Sequence, residues 1–148
     1  MKLLEHLLKA KRHRLISIGP DDTVFQALTL MAQHDIGALL VMEDGKPVGI
    51  FSERDFARKG IQPGMDAKAT PVRKMMSDKL ICVTLTETVE DCMAIMTDKR
   101  LRHLLVMENN KLAGVVSIGD IVKAVISDRE FTIRELERYI TGGHSSLT

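Results

Sequence analysis

Two short stretches of the sequence combine residue types that bind polar ligands. The first, GIFSERD, contains Ser52 and Asp55, and the second, GVVSIGD, contains Ser117 and Asp120 at positions 65 higher. A serine hydroxyl can donate to a phosphate, and a carboxylate can accept from both hydroxyls of a ribose. The same S-x-x-D spacing is typical of a helix start, where serine caps backbone N–H groups and an acid favours the positive helix end. A cap and a ligand site are compatible, so both interpretations stay open.

Basic residues near these stretches differ between the two copies. Arg102 and His103 directly precede the apolar run LLVM of the second copy, whereas Gly37 and Ala38 occupy these positions in the first. The scaffold therefore does not require the cations, and they are candidate phosphate ligands. Conversely, Arg54 lies within SERD, where the second copy has glycine. We predict two unequal half-sites, with solvated surface cations as the alternative for both arginines.

The two stretches belong to an internal repeat. Residues 16–59 align with residues 81–124 without a gap, and 13 of the 44 pairs are identical. The identical residues, numbered in the first copy, are Ile16, Thr23, Val24, Met31, Leu39, Leu40, Val41, Met42, Glu43, Lys46, Gly49, Ser52 and Asp55. Self-similarity at one fixed offset indicates one structural unit present twice.

Each copy predicts the order strand, helix, strand, strand, helix. A short strand, ISI or ICV, precedes a helix with apolar residues at helical spacing, and the run ALLVM or HLLVM is typical of a buried strand. Gly45 and Asn110 are expected to adopt positive φ in the following turns. One copy cannot cover its own sheet, so we predict an α/β (α+β) fold. In it, two β-α-β-β-α repeats pack about a pseudo-twofold axis with a cleft between them.

Segments outside the repeats are predicted to be terminal helices or connections. The predicted boundaries are an N-terminal helical segment 1–14, a first repeat 15–60, a connector 61–76, a second repeat 77–127, a C-terminal helix 128–143 and a tail 144–148. Four leucines between residues 3 and 8 share one helical face, which is predicted to cover the core or a dimer contact, with membrane-surface binding as the alternative. Thr132 and Glu135 predict a capping box that begins the C-terminal helix, and Gly142 and Gly143 predict its end.

Composition excludes several functional classes. The net charge of +1 and the aromatic content of 3% disfavour nucleic acid as a partner. The longest apolar stretch, residues 36–42, is far below the roughly 20 residues that span a bilayer. Cys82 and Cys92 lack zinc-ligand spacing and are expected to be small core residues, so no metal is predicted. We expect a cytoplasmic protein without a membrane or nucleic-acid partner.

Catalytic motifs are missing from the sequence. It contains no phosphate-binding P-loop, no dinucleotide-binding G-x-G-x-x-G, no H-E-x-x-H and no G-x-S-x-G. Asp55 and Asp120 could form a carboxylate pair, but neither has an evident base, nucleophile or metal partner. We therefore expect a protein that is not an enzyme and has no catalytic residues.

The ordered motifs resemble a known family. The duplicated β-α-β-β-α unit, the D-x-T-V or E-x-T-V helix start, the strand LLVM and G-h-h-S-x-x-D with h apolar are similar to a tandem pair of CBS domains, over about residues 10–127. These domains are the cystathionine β-synthase-type regulatory module. The resemblance implies a stand-alone regulatory protein of the bacterial type.

The resemblance also implies roles for individual residues. Asp55 and Asp120 are expected to hold the ribose of an adenine nucleotide. The expected phosphate contacts are Ser52, Ser117, Arg102 and His103, joined by Arg54 from the comparison of the two copies. The adenine is expected to lie against Ile16 and Ile18, or against Ile81 and Val83.

The function that follows is a non-catalytic sensor of adenosine nucleotides. The candidate ligands are AMP, ADP, ATP and NAD(H), and S-adenosylmethionine also fits the family. Binding is expected to shift the conformational population, which a regulated partner protein reads. The family implies a homodimer. A structural dimerisation module without ligand sensing is the alternative, and nucleic-acid binding is a weaker third hypothesis.

Overall fold

The computed structural model describes residues 3–11 and 15–140, and the chain divides into two compact units. Residues 14–80 form the first unit, and residues 1–13 together with 81–148 form the second unit. The predicted helix stop at Gly142 and Gly143 and the predicted tail 144–148 lie outside the described residues.

Five α-helices and six strands follow one another in the described residues. They are α1 (Leu4–Lys11), β1 (Ser17–Ile18), α2 (Val24–His34), β2 (Ala38–Glu43), β3 (Lys46–Ser52), α3 (Glu53–Lys59), β4 (Cys82–Thr84), α4 (Val89–Lys99), β5 (His103–Glu108), β6 (Lys111–Ser117) and α5 (Ile118–Ile140). One turn of 3-10 helix, Val72–Lys74, precedes β4. The fold is mixed α+β, with β-α-β-β-α in each unit, as predicted.

Each unit contains one three-stranded sheet with the same topology. The strand orders are β1-β2-β3 and β4-β5-β6. In each sheet the first two strands are parallel and the last two form an antiparallel hairpin. The hairpin turns adopt positive φ at Gly45 (76°) and Asn110 (62°), as predicted, because these residues tolerate the left-handed region. Both hairpins also contain a register shift, between Val41 and Met42 and at the equivalent place in the second sheet.

One face of each sheet is buried beneath helices. The core of the first unit comprises Ile18, Val24, Ala27, Met31, Leu39, Val41, Phe51, Val72 and Met75. The core of the second unit comprises Leu4, Leu7, Val83, Val89, Cys92, Met96, Leu104, Val106, Val116, Ile121 and Ala124. Residues from outside the aligned repeats complete both cores.

The helix α1 packs on the sheet of the second unit, although it precedes the first repeat in the chain. The backbone N–H of Leu4 donates to the carbonyl of Glu87 over 3.0 Å, and the side chain of Leu4 is 0% exposed. This result confirms the prediction that the leucine face of the N-terminal helix covers a core.

The 3-10 turn Val72–Lys74 occupies the place in the first unit that the start of α1 occupies in the second unit. The backbone N–H of Val72 donates to the carbonyl of Asp22 over 2.8 Å, and Asp22 lies 65 residues before Glu87. Val72 lies 68 residues after Leu4, whereas the two repeats align at an offset of 65 residues. An alignment without gaps therefore cannot detect this part of the duplication. The repeat therefore includes a short leading segment that the sequence comparison missed.

Two predictions about local structure are wrong. Thr132 and Glu135 form no helix start, because α5 continues unbroken from Ile118 to Ile140 and the Thr132 hydroxyl donates to the Asp128 carbonyl within it. Cys82 is exposed on the edge strand β4 and is not a core residue. Cys92 is buried as predicted, and burial raises the pKa of its thiol to about 11.

Gly49 and Gly114 are packing glycines in β3 and β6. A Cβ on Gly49 would lie 2.9 Å from the backbone carbonyl oxygen of Ser77, whereas a Cβ on Gly114 would lie 2.9 Å from the side-chain tip of Leu8. Ser77 is held by hydrogen bonds of 2.9 and 2.8 Å with Ile50, so it cannot move away easily.

We expect Gly49→Ala to lower the free energy of unfolding by about 1–3 kcal/mol, because it overpacks against fixed backbone. Gly114→Ala is the matched variant and should cost less, since the Leu8 side chain can change its rotamer. Urea unfolding of both variants measures the difference. Equal losses, or a larger loss for Gly114→Ala, would contradict this account.

Candidate functional site

Reciprocal hydrogen bonds close the first turn of four helices. In each pair a side-chain oxygen of the first residue accepts from the backbone N–H of the second, whose side chain accepts in return. The pairs are Thr23 with Gln26 at α2, Ser52 with Asp55 at α3, Thr88 with Asp91 at α4, and Ser117 with Asp120 at α5. Because α2 and α4 have the same arrangement without S-x-x-D, helix capping accounts for the local geometry of both motifs. The capping interpretation is confirmed, and ligand binding stays a prediction.

The first half-site lies where β3 passes into α3. Asp55 Oδ2 accepts from the Ser52 backbone N–H at 2.9 Å and from the Ser52 hydroxyl at 3.0 Å. Both side chains are half-buried. Within the part of the chain that the structure describes, no group donates a hydrogen bond to Asp55 Oδ1. One carboxylate oxygen of Asp55 therefore maintains the cap, and the other can accept from a ligand hydroxyl.

The second half-site lies where β6 passes into α5. The Ser117 backbone N–H donates to Asp120 Oδ2 at 2.9 Å, and the Asp120 N–H donates to Ser117 Oγ at 3.1 Å. His103 is opposite Ser117 in the strand ladder, and the Ile118 N–H donates to the Arg102 carbonyl at 2.8 Å. The predicted phosphate and ribose ligands of the second repeat therefore lie together at one corner of its sheet.

The same corner of the first unit has the same backbone and different side chains. Ala38 is opposite Ser52, and the Glu53 N–H donates to the Gly37 carbonyl at 3.0 Å. Since this connection forms with glycine and alanine, the fold does not need a basic pair there. Arg54 is exposed in the first turn of α3, one residue before Asp55. The structure thus supports the prediction that the two corners differ in charge.

The four residues predicted to contact adenine fall into two classes. Ile18 and Val83 are buried in the cores of their units. Ile16 and Ile81 are half-buried and pack at the margins of the same cores. Ile16 and Ile81 are therefore more exposed than Ile18 and Val83, and contact of any of the four with adenine stays a prediction.

Arg54 and Asp55 belong to the first unit, whereas Arg102, His103 and Asp120 belong to the second. A ligand site that uses residues of both repeats stays a prediction. What the structure does bring together is Arg102 and His103 with the start of α5, within the second unit.

Two features of the first unit were not predicted. Arg73 forms ion pairs with Glu43 at 2.7 Å and Asp21 at 3.4 Å, and hydrogen bonding to Glu43 and then Asp21 raises its pKa. A cleft of about 550 Å³ lies between the end of β1 and α2, with Phe25 and Met42 in its lining. Glu43 and Met42 lie at the C-terminal end of β2. Because β2 and β3 are antiparallel, this end of the sheet is the opposite one from the end at which Ser52 lies. No local sequence signal marks either feature.

The described residues form neither a candidate metal centre nor a candidate membrane span. In the described ranges, no group of three or more His, Cys, Asp or Glu side chains is arranged to hold a metal ion. None of the helices that the structure describes is both long and apolar enough to cross a membrane.

Comparison with known proteins identifies the family. A model of the CBS domain matches residues 9–61 and 72–127. The chain is 42% identical over 129 residues to the mitochondrial CBS domain-containing protein CBSX3 of Arabidopsis thaliana, which covers 84% of this chain and 63% of CBSX3. The chain thus spans less than two thirds of that relative.

Solved structures agree with this match. The crystal structure of the CBS domain NE2398 is 49% identical with a TM-score of 0.78, covering 85% of this chain and 99% of that one. The CBS domain protein PAE2072 from Pyrobaculum aerophilum, solved in complex with AMP, is 26% identical with a TM-score of 0.68, covering 80% and 88%. Both repeats match the family model, as the resemblance predicted, and the chain belongs to the CBS-domain family as a protein with a pair of CBS domains.

Proposed function

We propose that this protein is a non-catalytic regulatory module that binds an adenine nucleotide through its S-x-x-D half-sites. Binding shifts the conformational population, and a regulated protein responds to the shift. The observation that carries the proposal is the cluster of Arg102, His103, Ser117 and Asp120 at the start of α5. The AMP complex of the family member PAE2072 supports the choice of ligand class.

The second half-site supplies complementary chemistry for a nucleotide. Arg102 is exposed and can donate two parallel hydrogen bonds to a phosphate, and His103 adds a donor beside it. Asp120 is an acceptor for the ribose hydroxyls, and Ile81 offers apolar surface at the margin of the core. These groups suit an anion, a diol and the face of a flat aromatic ring, which are the three parts of a nucleoside phosphate.

The first half-site offers fewer groups that can bind a phosphate. Asp55 keeps a carboxylate oxygen for a ribose hydroxyl, but glycine and alanine replace the basic pair, and Arg54 is the cation beside it. We propose that the two half-sites differ in affinity and that the second binds phosphate more tightly.

Thermal shift and calorimetry with AMP, ADP, ATP, NAD, NADH, S-adenosylmethionine and coenzyme A test the proposal, because a ligand of the native state raises its apparent stability. We expect at least one adenosine nucleotide to raise the melting temperature. Arg102→Gln should weaken AMP binding by about 10-fold to 100-fold, since a charge-assisted contact is lost, and should leave adenosine binding unchanged. No stabilisation by any of these ligands, or equal losses for AMP and adenosine, would contradict the proposal.

A structural adaptor is the second candidate function. It is favoured by the capping pairs at α2 and α4, which show that the fold uses such pairs where no ligand is predicted. In an adaptor, nucleotides would change neither the melting temperature nor the binding of a regulated protein. The same ligand screen therefore separates the two candidates.

A further inference from the structure

The two units carry different charges at the corner where the S-x-x-D helix begins. The backbone is the same in both: the Glu53 N–H donates to the Gly37 carbonyl over 3.0 Å. In the second unit the Ile118 N–H donates to the Arg102 carbonyl over 2.8 Å. A Cβ on Gly37 would lie 3.7 Å from Glu53 Oε2. The Glu53 carboxylate therefore lies beside the point that is equivalent to the start of the Arg102 side chain.

The fold does not impose this difference. Gly37 has no positive φ, and an added Cβ would make only ordinary van der Waals contacts, the nearest with Glu53. A larger residue therefore fits at position 37, as Arg102 does at the equivalent place. Ile118 begins α5 where Glu53 begins α3, so the helix start does not require a carboxylate at this position either.

The charged groups of the two corners do not balance in the same way. The first corner has two carboxylates, Glu53 and Asp55, and one cation, Arg54, which lies about 100° around α3 from Glu53. The second corner has one carboxylate, Asp120, and the basic pair 102–103. The first corner is therefore net negative, whereas the second is not.

A carboxylate at this place acts on a ligand through its charge. Asp55 is the predicted ribose acceptor of the first half-site, and Glu53 precedes it by two residues on the side of Gly37. A phosphate that bound there as it binds beside Arg102 would meet a like charge, which costs affinity. A neutral group meets no such repulsion, and a cationic group is attracted. Repulsion of the wrong ligand is one of the two ways in which a site becomes specific.

We propose that Glu53 is the specificity-determining residue of the first half-site, and that it selects adenosine compounds whose 5′ group carries no negative charge. This inference rests on the proposed function, because it assigns a ligand class to a half-site of that function. The second half-site, with Arg102, selects the phosphate. The two repeats then respond to different classes of adenosine compound.

Calorimetry with three compounds that differ only in their 5′ group tests the proposal. At neutral pH this group is uncharged in adenosine, cationic in 5′-amino-5′-deoxyadenosine and anionic in AMP. The double variant Arg102→Gln with Asp120→Asn removes two predicted ligand groups of the second half-site. In this double variant the amine should bind at least as tightly as adenosine, and AMP should bind about 3-fold to 30-fold more weakly than adenosine.

Glu53→Gln, added to the double variant, should raise the AMP affinity about 3-fold to 10-fold, leave adenosine unchanged and weaken the amine. High salt should reduce these differences, because salt screens exposed charges. A purely structural role of Glu53 would change all three affinities together. Glu90→Gln is the matched control, since it removes a carboxylate from the first turn of α4, where no ligand residue is predicted, and should change none of them.

Exchange of the corner residues tests the same point by a gain of affinity. Gly37→Arg with Glu53→Ile gives the first corner the pair that the second repeat has, and it should raise the AMP affinity of the double variant roughly 10-fold or more. Circular dichroism should show every variant folded.

Failure of this inference is distinguishable from failure of the proposed function. If the unmodified chain bound none of the three compounds, the proposed function would be wrong, and the selective role of Glu53 with it. If the unmodified chain bound AMP but Glu53→Gln changed all three affinities equally or not at all, only the role of Glu53 would be overturned. Loss of all binding in the double variant would likewise overturn only the role of the first half-site.

Discussion

Asp120→Asn is expected to weaken AMP binding by about 10-fold to 100-fold while the protein stays folded. The asparagine oxygen can still accept from the Ser117 N–H, so the first turn of α5 is kept. The negative charge that strengthens hydrogen bonds from ribose hydroxyls is lost, which costs about 1.5–3 kcal/mol. Isothermal calorimetry gives the affinity, and the melting temperature without nucleotide reports on the cap.

The matched control for this experiment is Asp91→Asn at the start of α4. Asp91 makes the same reciprocal pair with Thr88 and lies in the same unit, but no ligand residue is predicted beside it. Both variants should lose a similar, small amount of stability, and only Asp120→Asn should lose affinity. If Asp91→Asn weakened AMP binding equally, the effect would come from capping and the proposed ribose role would be wrong.

Leu4→Ala is expected to lower the free energy of unfolding by about 2–5 kcal/mol. Leu4 precedes the first repeat, yet its side chain is 0% exposed in the core of the second unit, so truncation leaves a cavity there. Urea unfolding followed by circular dichroism measures the loss. A loss of this size indicates that Leu4 is a core residue, whereas truncation of a side chain in a dispensable N-terminal extension would leave the free energy of unfolding almost unchanged.

Ile61→Ala provides the control for Leu4→Ala. Ile61 lies in the connector and is 83% exposed, so its truncation should change stability by no more than about 0.5 kcal/mol. If the two variants unfolded at the same urea concentration, the packing of α1 on the second unit would be contradicted.

Sequence alone was sufficient to predict the β-α-β-β-α order of each unit. This succeeded because the apolar periods and the turn residues act locally. Glycine and asparagine, for example, adopt the left-handed region at a low cost in conformational free energy, as Gly45 and Asn110 do in the two hairpin turns. The repetition of these local signals at one offset also identified the family, and it located Ser52, Asp55, Ser117 and Asp120.

The roles of those four residues could not be decided from local patterns. Serine and aspartate at this spacing satisfy a helix start and a nucleotide equally well. Only the folded chain shows that α2 and α4 begin with the same reciprocal bonds, and that Arg102 and His103 lie beside the start of α5. Strand pairing brings these groups together from positions 14 or more residues apart in the chain.

Sequence by itself determined the repeated unit, its turns and the candidate ligand residues, because these depend on neighbours within a few positions. Tertiary structure alone decided that Leu4 and Val72 fill equivalent places in two cores, since that equivalence rests on contacts with distant strands. It also decided that α5 runs unbroken past Thr132. There the continuing backbone hydrogen bonds of the helix outweigh a local capping signal.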